Sequence, residues 1–432
     1  MTQLNRNDAL WMPFTASRSF AANPRILAGA SGMFYHTDDG RAMIDGTGGL
    51  WSCNAGHGHP TITAAIKRQA DALDFVHCFN QGHQIAFEAA VRLVALADGF
   101  DHVFFTNSGS EAVDTALKIA LAFHAARGQG QRRILVGRQK AYHGVNFGGL
   151  SVGGIGANNA QFGTLYPAAH HMRHITLAEN AFSRGMPRAG AELAEDLQAL
   201  CDLHGAQNIA AVIVEPVAGA GGVYPPPAGY LERLRQICDQ TGILLIFDEV
   251  VTGFGRLGTA FGYQKFGVMP DMITIAKGMT NATVPMGGVL ATAEIRAAFQ
   301  DGPAHLPDLF HGYTYSGHPL ACAAAIATLD AYQDGAMFKN AAAMAPLWED
   351  MLHGFNGHPA IVDIRNIGLL GALQLKPTGE IGAAGRMFYQ RCWDKGLIVR
   401  PIGDSIAMSP PLTITPELID NIGRILVEAM AS

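Results

Sequence analysis

The chain is poor in charge and contains no long basic run. Asp, Glu, Lys and Arg make up only 15% of its residues, the formal net charge is −6, and 49% of the residues are apolar. Without a basic patch, binding to nucleic acid is not expected. So low a share of charged residues predicts a large buried surface, part of which is a contact between subunits.

The chain also lacks three features of secreted and membrane proteins. The N-terminal stretch MTQLNRNDALWMPFT has no apolar core behind basic residues, so a signal peptide is not expected. No apolar run is long enough to span a membrane. The six cysteines form no Cys-x-x-Cys pair, which favours reduced thiols used in packing. We therefore expect a soluble, cytoplasmic protein whose 432 residues suffice for two domains.

Two apolar runs, each ending in an ionisable residue, dominate the middle of the sequence. GILLIF is followed by Asp248 and Glu249, and MITIA is followed by Lys277. Such runs are typical of buried parallel strands. Because ligands bind beyond the carboxyl ends of the strands in an open α/β sheet, Asp248 and Lys277 are expected to meet at one small molecule.

An acid and an amine placed in this way suit pyridoxal phosphate. The amine of Lys277 can form a Schiff base with the aldehyde of the cofactor. The carboxylate of Asp248 can keep the pyridine nitrogen protonated, so that the ring accepts electrons from a carbanion. From these two residues alone a simpler interpretation stays open, in which Lys277 caps a strand and Asp248 pairs with an arginine.

A second candidate site follows a predicted strand at residues 102–106. Ser108, Gly109 and Ser110 lie between this strand and a long helical pattern. Free backbone N–H groups and hydroxyls at a helix N-terminus bind phosphate. The same residues also fit an ordinary serine cap completed by Glu111, and one geometry can serve both purposes.

Isolated aromatic and polar residues extend the candidate site. Tyr142 and His143 follow another apolar run, where they could stack on a flat ring or plug the edge of a sheet. Trp51, among several glycines, could line a pocket or simply fill space. His57 and His59 lack a third ligand at a suitable spacing, so no metal site is predicted.

The apolar pattern divides the chain into three parts. Residues 1–60 form an N-terminal segment, residues 61–310 alternate strands with helices, and residues 311–432 form a smaller α+β part. Residues 148–190 are predicted to be an irregular loop. Arg400, expected at the end of a short strand, is either one half of a surface ion pair or a clamp for a carboxylate.

Six ordered motifs give the chain a specific resemblance to a known family. The segments TNSGSEA, YHG, EP, LLIFDEVVTGFGR, IAKG and YTYSGHP follow one another over more than 200 residues. With them the chain resembles the class III, or subgroup II, aminotransferases of fold-type I, which depend on pyridoxal phosphate. The resemblance implies an α/β fold with a mostly parallel sheet in a large cofactor-binding domain. It also implies a smaller α+β domain built from both ends of the chain.

The motifs also imply roles for single residues. Lys277 would carry the Schiff base and then move the proton between substrate and cofactor, and Asp248 would pair with the pyridine nitrogen. The resemblance places the other cofactor-binding residues as follows: Ser108, Gly109 and Ser110 at the phosphate, Tyr142 and Val250 on the two ring faces, His143 and Glu215 beside the ring, and Thr314 of the neighbouring subunit at the phosphate.

Within this family the chain is most similar to the ω-amino acid:pyruvate aminotransferases. WMPFT, GLW, YHGVN, EPVAGAGGV, PMGGV and GLIVR carry that similarity. It implies a ping-pong transfer of an amino group from β-alanine or a related amine to pyruvate, giving L-alanine. The substrate pocket would consist of Phe14, Trp51, Tyr142 and Arg400, with Arg400 on the carboxylate of pyruvate. A homodimer with shared sites is implied, with a tetramer as an alternative.

Other functions are compatible with parts of the sequence. A relative with another amino donor, such as 4-aminobutyrate, a diamine or an aromatic amine, is the first alternative, because an aromatic pocket fits several donors. A glutamate-1-semialdehyde-type aminomutase fits less well, since Arg400 indicates a carboxylate co-substrate. The presence of Lys277 and Asp248 disfavours a non-catalytic protein of this fold. An NAD-dependent dehydrogenase would need Gly-x-Gly-x-x-Gly at the start of a helix, and residues 253–258 lack that setting.

Overall fold

The structure is a computed structural model that describes residues 9–163, 165–333 and 336–431. Residues 1–8 of the predicted N-terminal segment lie outside the described part. The helices are α1 (Ser17–Ala22), α2 (Gly48–Trp51), α3 (Pro60–Ala72), α4 (Gln84–Leu96), α5 (Gly109–Ala126), α6 (Phe147–Val152), α7 (Gly156–Asn159), α8 (Glu195–His204), α9 (Tyr230–Thr241), α10 (Gly262–Phe266), α11 (Ala293–Ala297), α12 (Pro319–Gln333), α13 (Ala336–His353), α14 (Ala383–Asp394) and α15 (Pro416–Ala431). The strands are β1 (Leu27–Ser31), β2 (Phe34–Thr37), β3 (Ala42–Asp45), β4 (His102–Thr106), β5 (Ile134–Arg138), β6 (Ala169–Met172), β7 (Ile209–Val214), β8 (Leu244–Asp248), β9 (Met272–Ile275), β10 (Gly287–Ala291), β11 (Ile361–Ile367), β12 (Leu370–Leu375), β13 (Leu397–Ile398), β14 (Arg400–Ile402) and β15 (Ser405–Met408).

A seven-stranded sheet with the order β4-β10-β9-β8-β7-β5-β6 forms the centre of the larger part. Strands β5 to β9 pair in parallel, whereas β10 runs antiparallel to both of its neighbours. Leu245 and Phe247 of β8 join the core on the side of α9, and Leu244 and Ile246 join the core on the side of α5. A strand buried on both faces needs an unbroken apolar run, which is what the sequence showed. The predicted mostly parallel α/β sheet is confirmed.

The two ends of the chain meet in a smaller sheet with the order β1-β2-β3-β13. β13 pairs in parallel with β3, and Leu397 lies opposite Ile44. A second four-stranded sheet, β11-β12-β15-β14, shares a hydrophobic core with α13, α14 and α15. The smaller α+β part is therefore built from both chain ends, as the resemblance implied.

The predicted boundaries at residues 60 and 310 stay a prediction. Helix α12 lies beyond residue 310 and packs against α3 and α4. Its buried residues Cys322 and Tyr332 belong to the core beside the seven-stranded sheet.

Two local predictions were wrong. Residues 148–190 are not a single irregular loop, because they contain most of α6, all of α7 and the edge strand β6. β6 has the sequence AHHM, which shows no apolar pattern typical of a strand. Parallel pairing with β5 makes it a strand. Arg400 does not end a strand but begins β14, since the chain changes from one sheet to another after Ile398.

Two further observations concern membrane segments and thiols. Within the described ranges, no helix is both long and apolar enough to cross a membrane. All six cysteines fall in those ranges, where each is a free thiol and all but Cys78 are buried.

Candidate functional site

Neighbouring parallel strands bring the predicted acid and amine to one edge of the sheet. Asp248 ends β8 and lies opposite Thr274 of β9. Lys277 follows β9 and begins a short 3-10 turn with a φ of 49°, in the left-handed region that non-glycine residues seldom adopt. The predicted convergence of Asp248 and Lys277 is therefore present.

The amine of Lys277 sits in a surrounding that disfavours its charge. Burial lowers the pKa of Lys277 from 10.5 to about 8. The carboxylates of Asp248 and Glu215 oppose this shift, while the cations of Arg400 and Arg256 add to it. Near pH 8 a large fraction of the amine is consequently neutral and able to act as a base or nucleophile.

Asp248 is held by His143 rather than by an arginine. The carboxylate is buried, its Oδ2 lies 2.8 Å from His143 Nδ1, and its Oδ1 accepts a 3.2 Å hydrogen bond from the Val250 N–H. The second ring nitrogen of His143, Nε2, is buried and has no hydrogen-bond partner among the described residues. The hydrogen bond between His143 and Asp248 fixes the orientation of the Asp248 carboxylate at the edge of the sheet.

Glu215 joins the loop after β7 to the loop after β5. Its Oε1 accepts a 3.0 Å hydrogen bond from the Tyr142 N–H, and its Oε2 accepts a 2.9 Å bond from the Gly219 N–H. Burial raises the pKa of Glu215, and it raises the pKa of the Tyr142 hydroxyl as well. Arg138, fully buried, donates a 3.0 Å bond to the carbonyl of Glu215.

The serine cap at the start of α5 is present. Ser108 Oγ accepts a 3.1 Å hydrogen bond from the Glu111 N–H, and Glu111 Oε2 accepts a 2.7 Å bond from the Asn107 N–H. Ser108 is therefore the N-cap that the spacing predicted, but Glu111 binds the N–H of the preceding Asn107 and not that of Ser108, so the predicted completion of the cap by Glu111 differs in its partner. The cap leaves a helix N-terminus, with its positive end, facing the same edge of the sheet as Lys277.

Two glycines let the loops around this helix N-terminus approach closely. Gly144 has a φ of 92°, and a Cβ on it would lie 2.5 Å from Ser110 Oγ. Ser110 Oγ accepts a 3.2 Å hydrogen bond from the Val145 N–H. A Cβ on Gly109 would come within 3.2 Å of Val250. The loops after β4, β5 and β8 thus form one cradle.

Three predicted residues lie further out. Phe14 and Thr314 are exposed in the single chain that the structure describes. Arg400 is also exposed, yet its charge lowers the pKa of both Lys277 and Tyr142. No carboxylate of the described residues pairs with Arg400, so the surface ion pair considered from the sequence is not formed there.

A layer of polar contacts close to Lys277, formed by Asn281, Tyr332 and Arg256, was not predicted from the sequence. Asn281, with a φ of 51°, accepts from the Ala55 N–H at 2.8 Å and donates to the Gly56 carbonyl at 2.7 Å. Tyr332 donates a 2.8 Å bond to the carbonyl of Gly278. These contacts join segments more than 50 residues apart and leave no period in the sequence, so only a motif could have pointed to them.

Arg256, from the GFGR motif, belongs to the same layer. It is fully buried, burial lowers its pKa to about 10, and it donates a 2.7 Å bond to Asn54 Oδ1. It also donates to the carbonyl of Pro410. A buried arginine so placed ties the loop after β8 to the smaller part of the chain and adds positive potential behind Lys277.

The arrangement fits pyridoxal phosphate. The amine of Lys277 suits the cofactor's aldehyde, the carboxylate of Asp248 suits a protonated pyridine nitrogen, and the N-terminus of α5 suits a phosphate. The unpartnered Nε2 of His143 and the glycine-lined cradle beside Ser110 leave polar atoms and space for such a group. The described residues contain no group of three or more His, Cys, Asp or Glu able to hold a metal ion.

Comparisons with known proteins agree with this chemistry. A family model described as aminotransferase class-III matches residues 16–430. The chain is 52% identical to an omega-aminotransferase of Caulobacter vibrioides, over 96% of this chain and 95% of that protein. It is 45% identical to a beta-alanine–pyruvate aminotransferase of Pseudomonas aeruginosa, over 98% and 95% respectively. A solved amine transaminase from an uncultivated Pseudomonas species, in a PLP-bound form, matches with a TM-score of 0.91 and 36% identity over 98% of both chains.

The lowered pKa of Lys277 predicts a change in stability on removing the amine. The fold favours the neutral amine, so the charged form costs free energy at pH 7, and this cost disappears as the pH rises through 8 towards 10.5. In cofactor-free protein, Lys277→Met should raise the free energy of unfolding at pH 7 by up to about 3 kcal/mol, since one pKa unit corresponds to about 1.4 kcal/mol. Urea unfolding at pH 7 and pH 10 measures the difference.

The exposed Lys265 of α10 provides the control. Lys265→Met should leave the stability nearly unchanged at both pH values, because this amine keeps its water. An equal effect of both substitutions, or a gain for Lys277→Met that persists at pH 10, would contradict the assigned burial of the charge.

Proposed function

The chain belongs to the class III aminotransferases, which use pyridoxal phosphate, and we propose that it moves an amino group from a ω-amino acid such as β-alanine, or a related amine, to pyruvate. The observation that carries this proposal is the buried amine of Lys277, whose pKa is lowered to about 8 at the sheet edge where it lies near Asp248 and Glu215. The relatives named beta-alanine–pyruvate and omega-amino acid–pyruvate aminotransferase support the choice of substrates.

The residues around Lys277 would hold the cofactor. Lys277 would provide the covalent attachment, and Asp248, oriented by His143, would pair with the pyridine nitrogen. The remaining contacts are assigned to Ser108, Gly109 and Ser110 at the phosphate, to Tyr142 and Val250 on the ring faces and to Glu215 beside the ring. When bound, pyridoxal phosphate takes up the electron pair that is released when the substrate's C–H bond breaks.

Lys277 is also the proposed carrier of the proton. A general base works best when its pKa lies near the working pH, and the pKa of Lys277 is about 8. A base positioned in this way typically contributes about two to four orders of magnitude to the rate. The Val250 N–H and His143 both bind the carboxylate of Asp248 and fix its orientation.

Arg400 is proposed to bind the carboxylate of the substrates. Its guanidinium has no carboxylate partner among the described residues, and its charge is felt at both Lys277 and Tyr142. A planar guanidinium binds a carboxylate through two parallel hydrogen bonds. Trp51 and Tyr142 are assigned to the apolar wall of the pocket, and Phe14, which is exposed in the single chain, is assigned to its outer rim. In one half-reaction the pocket takes the amine, and in the other it takes pyruvate.

The active site is proposed to be completed by a second copy of the chain. Thr314 is exposed in the single chain, and the aromatic residues Phe310 and Tyr315 beside it are exposed as well. Phe87 and Val91 of α4 are also exposed, next to an apolar groove of about 750 Å³ between α4, β4 and α11. So much exposed apolar surface marks a contact between subunits.

Free buried thiols support the expected cytoplasmic location.

The substrate assignment predicts the outcome of two separate half-reactions. β-Alanine added alone to the holoenzyme should bleach the visible absorption of the cofactor, and pyruvate should then restore it with one equivalent of alanine per site. The cofactor spectrum and the alanine formed are the measurements. If β-alanine leaves the spectrum unchanged while 4-aminobutyrate, a diamine or an aromatic amine bleaches it, the donor assignment is wrong and the transaminase assignment stands.

Removal of the Arg400 guanidinium should separate substrates with a carboxylate from those without one. Arg400→Ala should lower kcat/KM for pyruvate by about ten- to a hundredfold, since a charge-assisted hydrogen bond contributes about 1.5 to 3 kcal/mol. The half-reaction with a simple amine should change little. Steady-state kinetics with both substrate types measure this, and Arg424→Ala, in an exposed ion pair of α15, is the matched control. Equal losses for both substrate types would remove the assigned role.

A shared site predicts complementation between two inactive variants. Lys277→Ala and Thr314→Glu should each be inactive as homodimers, the second because its carboxylate would repel the phosphate. Co-expression should restore up to about one quarter of the sites, because half of randomly formed dimers are mixed and each mixed dimer has one intact site. Activity of co-purified, differently tagged subunits measures this. If Thr314 served its own subunit, mixed dimers would stay inactive.

A further inference from the structure

One buried carboxylate organises the loop that carries Trp51. Asp45, at the end of β3, is fully buried. Its Oδ1 accepts hydrogen bonds from the N–H and the hydroxyl of Thr47, both at 2.9 Å. Its Oδ2 accepts from the Gly49 N–H at 2.6 Å and lies 2.8 Å from His57 Nε2. Four hydrogen bonds on one side chain leave this loop little freedom.

The loop needs such a constraint because its backbone is unusual. Gly48 and Gly49 have φ values of 54° and 69°, and Trp51, which is not a glycine, has a φ of 57°. The Trp51 N–H donates to the Thr47 carbonyl at 2.9 Å. Thr47, which is hydrogen-bonded to Asp45, therefore also holds the backbone of Trp51. Non-glycine residues keep a left-handed conformation only where their surroundings enforce it.

Trp51 in turn covers the reactive amine. The centre of its ring system lies 5.2 Å from Lys277 Nζ, and the indole is buried. The indole Nε1 has no hydrogen-bond partner among the described residues, so this nitrogen does not hold the ring in place. The ring belongs to a buried apolar cluster that includes Val217 and Leu370, and its position depends also on its backbone, which Asp45 and Thr47 fix.

We propose that the ion pair of Asp45 and His57 is a positioning device that holds Trp51 over Lys277 and keeps water from the amine. Asp45 and His57 are positioning residues, since neither contacts the amine itself. The inference rests on the proposed function in so far as Lys277 is the reactive amine. Water exclusion matters because burial is the main cause of the lowered pKa of Lys277.

The Asp45–His57 ion pair should be lost at high pH, and the loop that carries Trp51 should then be held less firmly. Burial lowers the pKa of His57, but the hydrogen bond to Asp45 and the neighbouring Cys53 outweigh it, so that the pKa is raised to about 9. The ring of Tyr35, 4.2 Å away between centroids, and the backbone of Gly32 also contact His57, and the cation of Arg256 acts on both Asp45 and Cys53. His57 is thus charged at neutral pH, and the ion pair is lost as the pH rises through about 9.

The test compares His57→Gln with wild type by two readouts that do not depend on turnover. The first is the fluorescence of Trp51 in a Lys277→Met background, taken as the difference between chains without and with Trp51→Phe and titrated from pH 6 to 10.5. The second is the pKa of Lys277 in the cofactor-free full chain, from the pH dependence of its acetylation by acetic anhydride, followed by mass spectrometry of the Lys277 peptide.

In a Lys277→Met background, where no amine titrates beside the ring, the Trp51 fluorescence should show a transition near pH 9, and adding His57→Gln should remove it. The pKa of Lys277 should rise by about half a unit or more in His57→Gln, because water reaches the amine. In the holoenzyme, KM for the amine should rise more than kcat falls. His353→Gln is the matched control, since His353 is a buried histidine with one 3.0 Å side-chain hydrogen bond, to Asn366. It should change none of these readouts.

Asp45→Asn provides a second route if His57→Gln folds poorly. It keeps the size of the side chain, removes its charge and should give the same rise in the pKa of Lys277. An unchanged pKa of Lys277 in folded variants, or a flat Trp51 signal between pH 8 and 10 in the Lys277→Met background, would overturn the inference. Shifted readouts in a protein that does not transaminate would instead leave the inference intact and refute the proposed function.

Discussion

The site depends on the burial of one amine beside carboxylates at the edge of a sheet. Removing an ammonium group from water is costly, and this cost lowers the pKa of Lys277 to about 8. The carboxylates of Asp248 and Glu215 counter only part of it. The hydrogen-bond partners of Asp248 among the described residues are His143 and the Val250 N–H, not the amine of Lys277. The amine consequently remains available for chemistry.

Buried carboxylates also hold the loops that surround this amine. Glu215 binds backbone N–H groups of two different loops, and Asp45 binds those of the loop before Trp51. Glu249 accepts from the N–H groups at the start of α10, and burial raises its pKa to about 7. A carboxylate that accepts several N–H bonds can fix a loop without any apolar contact. In this way the chain keeps a polar cavity rigid at the end of an apolar sheet.

The sequence predicted the buried strands well and the polar contacts between them poorly. The strand at residues 102–106 and the apolar run at residues 209–214 agree with the structure residue by residue. β7 is buried along its whole length, which requires apolar side chains and so leaves a readable pattern, whereas the edge strand β4 is mostly half-buried and is marked by its run of β-branched and aromatic residues. β6 has two histidines among its four residues and was missed, because only pairing with β5 makes it a strand. Arg400 was misplaced within its segment for a similar reason, since the change of sheet is decided by pairing.

By itself the sequence determined which residues follow the buried strands, and therefore that Asp248 and Lys277 lie at one edge of the sheet. The family motifs added the cofactor and the class of reaction. Only the tertiary structure decided the partners of these residues: His143, 105 positions before Asp248, as its hydrogen-bond partner, and Trp51 as the cover of Lys277. Periodicity reports burial along one element, whereas a hydrogen bond between distant loops needs only two residues and leaves no period behind.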